Sequence, residues 1–245
     1  MSKTLVVEAS GDTDAPADQR AFAQACRILA DQGHGAGLAG QLTMRNPDGT
    51  LLTLPLGVGF DEATPEHVLR VNEDLDVLEG SGKANPAVRF HVWIYRRRPD
   101  LKSVVHTHPP ALSALSMLGQ PMPVAHMDAA MFHDDCGFLG RWPGVPTGDE
   151  EGELISDALG NKRSVFLANH GIVCTGNSLQ EAIYLNVFAE HNARACLDAL
   201  AVGPLQAVAP EAAQEAHDFL LQPAIVNATF AYWARQALSR GMARS

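Results

Sequence analysis

The chain has 245 residues, 46% of them hydrophobic and 19% charged, with a formal net charge of −10. That length can bury one substantial core. The acidic balance, with no basic stripe beyond Arg96-Arg97-Arg98, argues against nucleic-acid binding, and no apolar run approaches the roughly 20 residues of a membrane span. The N-terminus lacks the apolar core of a secretory signal. Cys26, Cys136, Cys174 and Cys196 are scattered without a metal or redox spacing, which reads as the reduced thiols of a cytoplasmic protein.

A short β-like run at Thr4 to Val7 gives way to a Gly/Asp/Pro-rich turn. From Ala15 to Gln32, Phe22, Ala25, Cys26, Ile28 and Leu29 recur at helical spacing until Gly33, Gly35 and Gly37 break it. Gln41 to Arg45 and Thr50 to Leu54 alternate around Asn46-Pro47-Asp48-Gly49, the pattern of a hairpin. Thr64-Pro65-Glu66 opens a turn before strands at 68–71 and 76–79. A helix over 85–97 puts Val88, His91, Val92 and Tyr95 on one face, and Pro99 ends it.

A strand through His106 follows, then a helix over 111–118 and an irregular stretch over 119–147. A loop of that length is more often functional than filler. Thr147 with Glu150 reads as a capping box for a helix ending near Gly160, and Ser178 with Glu181 as a second, for the longest helix, 179–200. Strands at 165–168 and 172–174 lie between them, and helices at 211–221 and 223–240 close the chain. The order lacks a regular βαβ alternation, so the expectation is one α/β domain with a mainly antiparallel sheet flanked by helices.

The chemistry is concentrated in Val104-Val105-His106-Thr107-His108-Pro109-Pro110. Side chains two apart on a strand share a face, so His106 and His108 project side by side and can share a cation. The plain alternative is one packed and one exposed histidine at a strand end. Asn169-His170-Gly171 brings a further histidine on a second strand pair.

HTHPPALSAL, the stretch NPAVRFHVWIYRRRPDLKSVVHTHP and ANHGIVCTGNSLQEAIYL together resemble the class II aldolase/adducin N-terminal domain family, in one register from about Ala21 to Ala201. The resemblance implies a three-layer α/β/α fold with a mainly antiparallel central sheet. It divides the chain into an N-terminal segment (1–14), the family domain (15–208) and a C-terminal helical extension (209–245) that packs on the domain or on a neighbouring subunit. It also implies a homotetramer with active sites at subunit interfaces, and one divalent cation per chain, Zn or Mn first, Fe or Co next, held by His106, His108 and His170.

The departures matter as much. The sugar-phosphate aldolases of the family carry a glutamate four residues before the histidine of the helix leading to HxH; that position is Ala87 here. Their phosphate cradle falls on Leu56-Gly57 and Asn85-Pro86, where an apolar side chain replaces a hydroxyl and a proline removes a donor. Their usual asparagine is Gln41. Gln41, Gly57 and Asn85 are therefore the expected substrate contacts, for a small molecule other than a sugar phosphate. Asn-Pro-Ala resembles the adducin-like branch, which includes scaffold domains, and the family also contains decarboxylases of hydroxylated aromatic acids.

For proton transfer the candidates are His126, whose ordinary pKa suits acid–base work, and Asp128 two residues on. His91 is expected to pack or support, and Arg89 or Arg141 to meet a substrate carboxylate. The expected function is a metal-dependent carbon–carbon lyase, by retro-aldol cleavage or decarboxylation through a stabilised enolate, on an unphosphorylated hydroxy or oxo acid, aromatic acids included. The alternative is an adducin-like scaffold with a vestigial metal site.

Overall fold

The computed structural model describes residues 15–142, 144 and 148–242. The expected strand at Thr4 to Val7 and the Thr147 cap lie outside these residues. The elements are α1 (Ala17–Asp31), β1 (Gln41–Arg45), β2 (Leu51–Thr53), β3 (Leu69–Val71), β4 (Val77–Glu79), α2 (Arg89–Arg97), β5 (Ser103–Thr107), α3 (Pro110–Ser116), β6 (Cys136–Leu139), α4 (Asp149–Leu159), β7 (Ser164–Leu167), β8 (Gly171–Gly176), α5 (Leu179–Leu200), α6 (Pro210–Leu220) and α7 (Pro223–Met242). Among the described residues no helix is long and apolar enough to cross a membrane.

One eight-stranded sheet runs β4-β3-β2-β1-β5-β8-β7-β6. Every neighbouring pair is antiparallel except β6 with β7. Alternation along the central strands sends side chains into two separate cores. Val104 and Val173 join Phe90, Ile94 and Leu159 beneath α2 and α4, whereas Val105, Ile172 and Cys174 join Phe22, Ile183 and Trp233 beneath α1, α5 and α7. The result is the expected three-layer α/β/α sandwich.

The local signals translate directly. The Ser178 hydroxyl accepts the Glu181 backbone N–H at 3.1 Å and caps α5. The Glu181 carboxylate takes the Asn177 N–H at 2.8 Å, so the expected box closes one residue early. Arg96, Arg97 and Arg98 pair with Glu73, Asp157 and Asp100, as a solvated helix end should.

The stretch over 119–147 is more regular than its composition suggests. It contains a 3₁₀ helix, Met127–Phe132, and the edge strand β6. A Cβ on Gly137 in β6 would lie 2.0 Å from the Ala158 carbonyl oxygen of α4. The glycine that reads as a strand breaker is what lets the helix lie on the strand.

Candidate metal centre

Two pieces of chain meet at the end of β5. His106 is its penultimate residue, fully buried on the α2 face, with its ring edge-on to Phe90 at 5.3 Å between centroids. Its Nδ1–H donates to the Ile172 carbonyl at 2.9 Å, which leaves Nε2 as the free lone pair. His108 lies just beyond the strand, with its Nε2 2.8 Å from that of His106.

His170 arrives from the turn joining β7 to β8. Asn169 takes up a left-handed conformation there, with φ +57°, which asparagine tolerates. The turn is moored to the end of α3: Asn169 N–H donates to the Ser116 carbonyl and His170 N–H to the Ser116 hydroxyl, both at 3.1 Å. The register of β5 on β8, with Thr107 opposite Ile172, brings this turn beside His108. Ring centroids are 4.6, 4.8 and 4.5 Å apart for the three pairs, and one nitrogen from each ring lies within 4.8 Å of the others.

Burial holds His106 well below the ordinary imidazole pKa, lowers His108, and lowers His170 to about 4. All three are therefore neutral at neutral pH, the form that binds a cation. Nitrogens bound at about 2.1 Å to one tetrahedral ion sit roughly 3.4 Å apart, so small ring rotations close the set. The donors fit a divalent metal of the Zn, Mn, Fe or Co kind, with positions left open for substrate.

Gln41 stands directly opposite His106 in the pairing of β1 with β5, so the two side chains share one face. It is 9% exposed, and its carboxamide oxygen has no partner among the described residues. Gln41, Gly57 and Asn85 line a single pocket together with Leu54, Leu56 and Phe60, and among the described residues no charged side chain lines it. Asn85 is committed to the turn before α2, its Oδ1 accepting Ala87 N–H at 3.0 Å.

The proton-transfer candidates make their contacts with α5. The His126 ring donates through Nε2 to Asn192 Oδ1 of α5 at 3.1 Å, and not to a histidine of the cluster. Asp128 is exposed on the 3₁₀ helix, near enough to Tyr184 and His191 to perturb both. His91 is buried, its Nδ1 2.9 Å from the Thr43 hydroxyl, which also meets Tyr95 Oη at 2.9 Å. Arg89 binds Asp149 at 2.9 Å and joins α2 to the start of α4.

Sequence reading missed Ser116 and two buried polar residues of α5, Asn186 and Glu190. A polar pair four apart inside an otherwise apolar helix face was the available signal.

The chain is 32% identical over 166 residues to 5-methylthioribulose-1-phosphate/5-deoxyribulose-1-phosphate aldolase of Rhodospirillum rubrum, covering 68% of this chain and 74% of that protein. It is 31% identical over 152 residues to decarboxylase NovR of Streptomyces niveus, covering 60% of this chain. The match spans 56% of NovR, and 65% of the meiotically up-regulated gene 14 protein of Schizosaccharomyces pombe, to which the chain is 30% identical over 67% of its length. The solved L-fuculose 1-phosphate aldolase from Glaciozyma antarctica superposes with a TM-score of 0.81 over 89% of this chain and 87% of that one, at 24% identity, which shows the shared fold. Residues 20–197 match the Class II Aldolase and Adducin N-terminal domain, and the chain belongs to that family.

Proposed function

We propose that this protein is a divalent-metal-dependent carbon–carbon lyase acting on an unphosphorylated hydroxy or oxo acid, with hydroxyaryl acids included. The observation that carries the reading is the convergence of three neutral histidines beside a pocket that no charged side chain lines. A cation held by His106, His108 and His170 supplies Lewis acidity, which makes room for the electron pair released when a carbon–carbon bond breaks. The protein's own part is to hold those imidazoles neutral and convergent and to orient the substrate.

A phosphate dianion entering this chain's pocket would lose its water without meeting a cationic side chain among the described lining residues, an unfavourable exchange. Leu56, 56% exposed beside Gly57, offers it no hydroxyl. Ala87 offers no carboxylate for proton exchange. Gln41 is left with a carboxamide free to bond a neutral polar group of the substrate. These features favour a decarboxylase-like or adducin-like reading, although several matched relatives, the 5-methylthioribulose-1-phosphate/5-deoxyribulose-1-phosphate aldolase and L-fuculose phosphate aldolases, are named for sugar-phosphate aldolases.

For the proton that replaces the departing carbon we assign His126, with Asp128 as the second candidate. The same reading includes a homotetramer: Met117, Leu118 and Met127 are exposed apolar residues of the kind a subunit interface covers. Loss of the carboxylate at Ala87 also suits a scaffold domain, but retention of all three histidines favours the enzyme.

The test is elemental analysis of protein purified without added metal, beside His108→Ala. About one Zn, Mn, Fe or Co per chain, absent from the variant, is the expected result, followed by CO2 or aldehyde release from a panel of hydroxy acids. No metal and no uptake on addition would sink the enzyme reading in favour of the scaffold.

A further inference from the structure

The three histidines come from two separate pieces of chain, and one face of α5 braces both. Thr107 lies between His106 and His108 and points to the opposite side of the sheet. Its hydroxyl donates to Asn186 Oδ1 at 2.7 Å. Because that hydrogen is used, the Thr107 oxygen accepts from His34 Nδ1–H at 2.9 Å. Burial lowers the His34 pKa to about 3, so its ring is neutral at neutral pH and carries its hydrogen on Nδ1. Thr107, Asn186 and His34 are all fully buried, where no water substitutes for a lost partner.

One turn further along α5, Glu190 is 1% exposed. Its two carboxylate oxygens accept the backbone N–H groups of Ala111 and Leu112, at 3.1 and 2.7 Å. These are among the first amides of α3, which otherwise lack acceptors, and a carboxylate is their strongest partner. The far end of the same helix presents Ser116, which holds the backbone of Asn169 and His170. α3 therefore runs as a strut from Glu190 to the third histidine, while Asn186 fixes, through Thr107, the segment that carries the first two. Asn186 and Glu190 are four residues apart and so lie on one helix face.

We propose that Asn186 and Glu190 are positioning residues of the metal centre: through Thr107 and α3 they set the distance between the His106/His108 segment and the His170 turn. Neither is among the three histidines that would hold the ion. The inference rests on the reading that these histidines hold a divalent cation.

The experiment titrates the metal-free full chain with Co2+, following the visible ligand-field bands and the dissociation constant. Thr107→Val keeps the volume and removes the hydroxyl; Thr107→Ser keeps the hydroxyl; Glu190→Gln keeps one acceptor oxygen and loses the second. Loss of such outer support typically weakens a metal site by 10- to 100-fold. The expected result is weaker Co2+ binding by about tenfold or more, with altered bands, in Thr107→Val and Glu190→Gln, and binding close to that of the unmodified protein in Thr107→Ser. A lower melting temperature of the metal-free variants with unchanged Co2+ affinity and bands would overturn the proposal, because it would make the braces structural only. An unmodified chain that binds no Co2+ would instead overturn the metal reading itself, and this proposal with it.

Discussion

A Cβ on Gly171 would lie 2.4 Å from the carbonyl oxygen of Thr107 and 2.8 Å from Cδ2 of His108. The first residue of β8 therefore packs where only a hydrogen fits, and this close approach lets the His170 turn reach the end of β5. Gly171→Ala must push the two strands apart. The expected outcome is a loss of about 1–3 kcal/mol of stability together with weaker metal binding. Denaturant unfolding and metal content measure the two effects, and a variant with normal metal content would show that the strands tolerate the spread.

Removing a ligand acts more directly. His106→Ala or His170→Ala leaves two imidazoles, too few to hold a catalytic cation tightly. Each variant is expected to lose its tightly bound metal while keeping its far-ultraviolet circular dichroism. Full retention of metal by either one would show that the histidine is not a ligand.

The buried histidines set an acid limit on stability. His34 and His91 have pKa values lowered to about 3 by burial, against 6.5 in the unfolded chain. Between those values the unfolded chain binds protons that the folded chain refuses, so stability is full above pH 6.5 and falls as the pH drops towards 3. Each contributes roughly 1.4 kcal/mol per pH unit inside that window, and His106 adds in the same direction in metal-free protein. Urea unfolding of metal-free protein at pH 6 and pH 5 should show a loss of about 2 kcal/mol or more. His91→Gln should flatten the slope, and a flat profile in the unmodified chain would contradict the neutral, buried assignment.

Restoring one missing piece of the sugar-phosphate chemistry should not restore the reaction. Ala87→Glu returns a carboxylate but leaves Leu56 and a pocket without a charged side chain. Aldehyde release from a ketose 1-phosphate by this variant is expected to stay at background. Robust turnover would mean that phosphate binds elsewhere on the chain.

Much of this architecture is written locally. The cap at Ser178 and the helical period define α5 from Leu179 to Leu200, and the turn at Asn46 to Gly49 defines the hairpin of β1 and β2. The period of a strand puts His106 and His108 side by side, and the spaced motifs were enough to indicate the family. The edge strand β6 was hidden because its pairing partner, β7, is distant in sequence and its Gly137 reads as a breaker until α4 is seen lying on it.

The sequence by itself determined the mainly antiparallel α/β pattern and the side-by-side histidine pair, because these depend on residue identity and short-range spacing, and the family resemblance added the layer order and the missing glutamate and phosphate cradle. The tertiary structure decided what depends on distant partners. The register of β5 on β8 carries His170 to the pair, Gln41 comes to lie opposite His106, and His126 turns to Asn192. Asn186 and Glu190 are polar residues in a buried helix face, and only their partners show what they do. A hydrogen bond between remote segments is a property of packing, and no local pattern encodes it.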